Sequence, residues 1–295
     1  MELLKRLIET NLFISIAAVA FLWANVFLLH LDGKSLVYLS LQVFFSTWFI
    51  YQVSRWIYFK KGNYAGPQEL ILKWFEKYPR LNQFTIFLAF ALTFVFTLLL
   101  KWKTILILCF VGGISVFYPI PFLKPFGIKT RLRDFPFLKI FLIAVVWSVT
   151  SVILPATENN IHITERKDII VLLVVQFIFI LFITLPFDIN DAETDKLTTI
   201  KTIPTVFGVK GSKIICLALG IVYSIGMLFV FMLENWRNIS NIYLTEWTIV
   251  LIWLLCAALQ VYTFLKADKV HKWVIKIVYD GSMIVYFLIV YFTLK

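Results

Sequence analysis

Three aspartates, Asp188, Asp191 and Asp195, fall close together in a 295-residue chain that holds only 17 acids. If Leu185-Pro186-Phe187-Asp188-Ile189-Asn190-Asp191-Ala192-Glu193-Thr194-Asp195 continues as helix, the i, i+3, i+7 spacing stacks the three carboxylates along one face. Like charges on one stripe repel, so a cation belongs among them. Hard oxygen ligands suit Mg2+, which keeps several waters and bridges carboxylates to substrate phosphates. The plainer account of the same spacing is a solvated helix end with Lys196 as a neighbour. Pro186 can kink the helix just before the first aspartate, and the run from Lys196 to Gly208 is a polar, basic loop suited to close over a diphosphate.

Other polar residues in apolar surroundings carry less. Asp280, in Ile277-Val278-Tyr279-Asp280-Gly281-Ser282-Met283, either pairs with Lys276 one turn back or lines a cavity. Asn25 and Gln176, each alone in its apolar stretch, read as interhelical hydrogen-bond partners. Cys109, Cys216 and Cys256 share no metal-ligand spacing and read as core residues. No nucleotide loop, zinc motif or nucleophile elbow is present.

The elements that must hold these residues are set by hydropathy. Hydrophobic residues are 61% of the chain, charged residues 15%, and the mean hydropathy is +0.87, which leaves far too much apolar surface for a water-soluble domain. A spanning helix needs roughly 20 apolar residues. Nine windows meet that need, at about 11–31, 37–59, 84–100, 104–120, 137–155, 169–187, 214–233, 247–265 and 277–294. The expectation is an all-α polytopic membrane bundle of nine transmembrane helices, one domain over 1–295, with the first window retained rather than cleaved. Of 28 Lys and Arg, 21 fall on one side of this topology, which puts the N-terminus in the cytoplasm and the C-terminus on the opposite side of the cell membrane. The net charge of +11 then reflects topology and attraction to anionic membrane lipid, with no nucleic acid called for.

Asp188-Ile189-Asn190-Asp191-Ala192-Glu193-Thr194-Asp195, followed by Ile200-Lys201-Thr202-Ile203-Pro204-Thr205 and Phe207-Gly208, resembles the second aspartate-rich motif of the UbiA superfamily of intramembrane prenyltransferases. Tyr118-Pro119-Ile120-Pro121-Phe122-Leu123-Lys124 and Phe137-Leu138-Lys139 resemble the loop and helix start between that family's halves. The resemblance implies a helical bundle around a central cavity, in which Mg2+ held by acidic motifs binds an isoprenyl diphosphate and the prenyl group passes to an aromatic or other lipophilic acceptor, as in quinone biosynthesis. Residue by residue, it implies Asp191 and Asp195 as catalytic metal ligands with Asp188 beside them. It also implies that Lys124, Lys201, Tyr118 and Lys139 lie near the diphosphate.

The departure is in the second window, where the first acidic motif of the family would lie. The chain has Tyr51-Gln52-Val53-Ser54-Arg55-Trp56-Ile57-Tyr58-Phe59 there, and no acid between Asp32 and Glu69. A guanidinium offers a permanent charge in a phosphate-matching fork, so Arg55 is expected to stand in for a metal across the cavity mouth, with Gln52, Tyr51 and Asp280 lining the cavity. The plainer reading is that Arg55 snorkels to the interface. Terpene cyclisation and a non-catalytic lipid-diphosphate binder or transporter remain the alternative functions.

Overall fold

The structure is a computed structural model that describes residues 2–60, 75–118, 135, 137–196, 201–235 and 242–294. Its regular elements are α1 (Glu2–Glu9), α2 (Leu12–Leu28), α3 (Val37–Lys60), α4 (Pro79–Leu98), α5 (Trp102–Phe117), α6 (Leu138–Glu158), α7 (Lys167–Lys196), α8 (Ile203–Asn235), α9 (Ile242–Lys266) and α10 (Lys272–Leu294). Each of the nine expected windows contains a helix, while a count of nine spans is not confirmed by length. Among the described residues seven helices are long and apolar enough to cross a membrane, or eight if α1 and α2, bent by 86°, form one broken span. Helix α5 has 16 residues, which gives a rise of about 24 Å against a hydrocarbon core of about 30 Å.

Helix α7 is the centre of the bundle, packed against α6, α8 and α10, while α2 packs on α10 and α3. Its Phe179 is fully buried and lies 5.6 Å from Phe21 of α2, 5.5 Å from Tyr286 of α10 and 4.9 Å from Tyr223 of α8, measured between ring centroids. One turn away the amide of Gln176 donates to Asn25 Oδ1 and to the Tyr286 hydroxyl, both at 2.8 Å. The two polar residues that stood alone in their windows are thus each other's partners. Such interhelical bonds contribute about 0.6 kcal/mol each in lipid. They fix register more than stability.

Two glycines shape α8. Gly208, with φ 71°, breaks the helix just after its first turn, a backbone conformation that disfavours side chains. Gly226 lies where a Cβ would come within 2.8 Å of Val175 Cγ2, so α8 and α7 approach at a distance only glycine allows. At one end of the bundle the buried Glu158 carboxylate accepts from the Lys101 N–H at 3.3 Å and from Thr104 Oγ1 at 2.6 Å, capping the start of α5. Arg166 pairs with Asp168 and donates to the Leu29 carbonyl at the end of α2. The aspartates of α7 lie at the opposite end.

Candidate functional site

Asp188, Asp191 and Asp195 all lie on the last turns of α7, the helix continuing through Pro186. Asp188 is buried, whereas Asp191 and Asp195 are half-buried. The Lys139 ammonium donates to Asp188 Oδ1 from the first turn of α6. Lys139 is set there by Phe137, which enters α6 with φ 59° and donates its N–H to the Lys201 carbonyl at 3.2 Å. The entry to α8 is fixed in turn by Thr205 Oγ1, which accepts the Thr202 N–H at 2.8 Å. The two segments that resembled the family's loops are therefore fastened together beside Asp188. Around them is a void of about 10 Å³ lined by Phe135, Phe137, Lys139, Asp188, Lys201 and Thr202, which is room for about one water.

The second pairing was not foreseen. Lys272, on the first turn of α10, forms an ion pair with Asp191 Oδ1. In the sequence Lys272 was one more basic residue of the topological bias. Asn190, inside the acidic motif, explains its position by donating to the carbonyls of Ala267 at 2.8 Å and Val270 at 2.9 Å, which clamps the α9–α10 turn onto α7. Lys213 of α8 secures the same turn through Asp268 at 2.7 Å and the Phe264 carbonyl at 2.9 Å. Burial raises the Asp268 carboxyl, and the Lys213 bond and charge outweigh that, holding it below the ordinary carboxylate range. Lys276, one turn along α10, interacts electrostatically with Arg55, Asp280, Lys272 and Asp191. Lys272 thus brings positive charge to the acidic motif from the last helix.

Arg55 requires a correction. Its two terminal nitrogens donate to the carbonyls of Glu9 and Ile8, the last two residues of α1. Those carbonyls sit at the negative end of the α1 dipole, the Ile8 carbonyl also accepting the Asn11 N–H at 3.3 Å, so the guanidinium caps α1 rather than facing Asp191 and Asp195 with an open fork. Gln52 is corrected too. It is buried, accepts from Asn11 Nδ2 at 3.0 Å and donates to Thr85 at 3.4 Å, joining α2, α3 and α4 without lining the cavity. Asp280 is half-buried beside Lys276 and Arg55 and is likewise no part of the cavity wall. Lys124 lies outside the described residues.

The cavity itself has a volume of about 530 Å³ and is walled by α2, α3, α4, α5 and α6, so it belongs to the first half of the chain rather than to the centre of the whole bundle. Tyr51 and Tyr118 line it, the latter expected beside the diphosphate, and Cys109 lines it where a core role was foreseen. The aspartates are not on its wall. Tyr51, at one end of it, interacts electrostatically with Asp280 and Arg55, and both of these interact with Lys276, which interacts in turn with Asp191.

Metal ligation has narrow support in the donor set. Among the described residues no three carboxylate, imidazole or thiol groups converge on a point, which corrects the expectation that Asp188 joins Asp191 and Asp195 in one metal cluster. Asp188 is instead the counter-ion of Lys139. Asp191 Oδ1 is buried and, although paired with Lys272, accepts no aligned hydrogen bond. Asp191 and Asp195, one turn apart, fit a divalent ion that completes its shell with water and substrate oxygens. They do not fit an ion held by protein alone.

The model of the UbiA prenyltransferase family matches residues 78–280. Among solved structures, a UbiA homologue from Aeropyrum pernix K1 in the apo state is 12% identical with a TM-score of 0.67, over 95% of this chain and 96% of that one. A UbiA homologue from Archaeoglobus fulgidus bound to GPP and Mg2+ is 15% identical with a TM-score of 0.64, over 99% and 97%. A digeranylgeranylglyceryl phosphate synthase is 17% identical with a TM-score of 0.54, over 98% and 99%. At these identities the likeness is one of fold. No curated protein matches the chain.

Proposed function

The chain belongs to the UbiA prenyltransferase family, and from that premise we propose that it transfers an isoprenyl group from an isoprenyl diphosphate to a lipophilic acceptor within the membrane. The observation that carries this reading is the pairing of a 530 Å³ cavity, whose wall bears no charged residue among the described ones, with an acid-and-lysine cluster beyond its Tyr51 end. An amphiphile with a long apolar tail and a doubly charged head is the ligand class such a division suits.

On this reading Lys272, Lys139 and Lys201 draw the diphosphate to the end of α7. Asp191 and Asp195 would hold Mg2+, which when bound offsets charge gathering on the diphosphate as the allylic C–O bond breaks. The departing diphosphate keeps the bonding electron pair. The cavity wall shelters the allylic cation from water, and Tyr51 and Tyr118 offer aromatic faces to it. The new bond uses an electron pair of the acceptor, which then loses a proton. Among the described residues the titratable groups on the wall are Tyr51, Tyr118 and Cys109, so on this reading the chain's part is positioning and electrostatics rather than acid–base chemistry. The gathering of Lys and Arg at the aspartate end supports a cytoplasmic site, an N-terminus on that side and a place in the cell membrane.

A second reading, a non-catalytic binder of lipid diphosphates, draws on the absence of acids between Asp32 and Glu69 and on the lysines already paired with Asp188 and Asp191. The two separate in one experiment. Purified protein is incubated with GPP, DMAPP and longer isoprenyl diphosphates, with Mg2+ or EDTA, and with or without a lipophilic phenol. Mg2+-dependent release of diphosphate is expected. Tight binding with no release under any combination would replace the enzyme with the binder.

A further inference from the structure

The cavity is not uniformly apolar. Gln42 of α3 lies on its wall, is 3% exposed, and its Oε1 is buried without a hydrogen-bond partner. An unmet amide oxygen in a membrane interior lacks the donor that water would give it. Its position is remote from the aspartates. Helices α3 and α4 run antiparallel, with Phe49 against Phe90 at 5.4 Å and Phe45 against Phe96 at 5.7 Å, which brings Gln42 to the level of Thr97. From Ser54, on the wall toward the aspartate end, to Gln42 the helix rises by about 18 Å at 1.5 Å per residue.

The neighbouring hydroxyls on the wall have already committed their protons. Ser46 donates to the Val43 carbonyl at 3.2 Å, Thr93 to Ala89 at 2.7 Å, Thr97 to Thr93 at 2.7 Å and Ser151 to Ser148 at 3.3 Å, each within its own helix. What they present to the cavity is lone pairs. Thr150 and Ser151 reach the wall from the π-turn at Val149–Ile153, a distortion that recurs at functional sites. Among the described residues the wall carries no charged side chain to pair an ionised group, and its polar groups at this end suit an uncharged one. A carbonyl could only accept, and a pure hydrocarbon would leave Gln42 unsatisfied. A hydroxyl meets the requirement, since it can donate its proton to Gln42 Oε1 among the lone pairs of the wall.

We propose that the end of the cavity around Gln42 and Thr97 is a binding site for an uncharged hydroxyl group carried by an elongated lipophilic molecule. That this molecule is the acceptor rests on the prenyl-transfer reading. Its reacting atom would lie toward the Tyr51 end, and the hydroxyl about 18 Å away would select and orient it.

The test is binding rather than turnover, so that it stands apart from diphosphate release. Native mass spectrometry of the detergent-purified full chain compares retention of hexadecan-1-ol with that of hexadecyl methyl ether, which has the same tail and cannot donate. The wild type is expected to prefer the alcohol by roughly five- to tenfold, as one net hydrogen bond allows. Gln42→Met, close in volume, should bring that preference to within twofold while ether retention stays put. Thr97→Val should reduce it in part, and serves if Gln42→Met proves unfolded by thermal melting. Equal retention of alcohol and ether by the wild type, or a preference unaltered in both variants, overturns the assignment. Diphosphate release without the hydroxyl preference removes this inference alone, and the preference without release upholds it while removing the transfer reading.

Discussion

Arg55→Ala separates a structural guanidinium from one that binds substrate. The side chain makes two hydrogen bonds, to the carbonyls of Glu9 and Ile8. Charge-assisted bonds contribute about 1.5–3 kcal/mol each. The two share one half-buried group, and water can replace part of what is lost, so about 2–3 kcal/mol is the reasonable combined effect. That energy holds an eight-residue helix that is too short to persist by itself. The loss should therefore appear as local opening of α1 rather than as global unfolding. Amide hydrogen exchange over residues 4–11 should accelerate by roughly 30- to 150-fold, at 1.4 kcal/mol per tenfold, with α7 unaffected. Arg55→Lys should fall between, since a compact ammonium keeps the charge but not the two-pronged geometry. Affinity for GPP should change by less than about threefold. A tenfold loss of GPP affinity with unaltered exchange in α1 would refute the capping assignment and return Arg55 to the diphosphate.

Asp191→Asn and Asp195→Asn should each reduce Mg2+-dependent diphosphate release by at least about 100-fold while the melting temperature holds; full release by either variant would end the metal assignment. Lys139→Met leaves the Asp188 carboxylate, 3% exposed, without its ion pair, so a loss of about 3–5 kcal/mol is expected, and Lys139→Met/Asp188→Leu should regain most of it in thermal melts. Lys272→Gln is expected to weaken GPP binding by roughly tenfold when measured in EDTA, because with no metal present the diphosphate relies on the lysines, of which Lys272 lies beside Asp191; unaltered binding would confine Lys272 to a structural role. Gly226→Ala brings a methyl within 2.8 Å of Val175 and should cost about 1–3 kcal/mol, whereas Gly113→Ala, which meets nothing within 4 Å, should be neutral in the same melts.

Some of this was legible in the sequence because it depends on runs of neighbouring residues. Hydropathy located a helix in each of nine windows, and the i, i+3, i+7 aspartates fell on one helix end as their spacing required. Asn25 and Gln176 announced themselves as partners because a lone amide in hydrocarbon needs one. What depended on distant segments was not legible. Arg55 looked like a substrate ligand because its spare donors were visible and its acceptors were not; Ile8 lies 47 residues earlier and faces it only after α1 bends by 86°. Lys272 was one basic residue among many until Asn190 drew the α9–α10 turn onto α7. The cavity, too, is a property of how five helices diverge, and its wall drew Gln42 into view while removing Gln52. Hydropathy and helical period act along the chain, whereas the choice of ion-pair partner and of cavity wall is made by packing between residues that no local pattern relates.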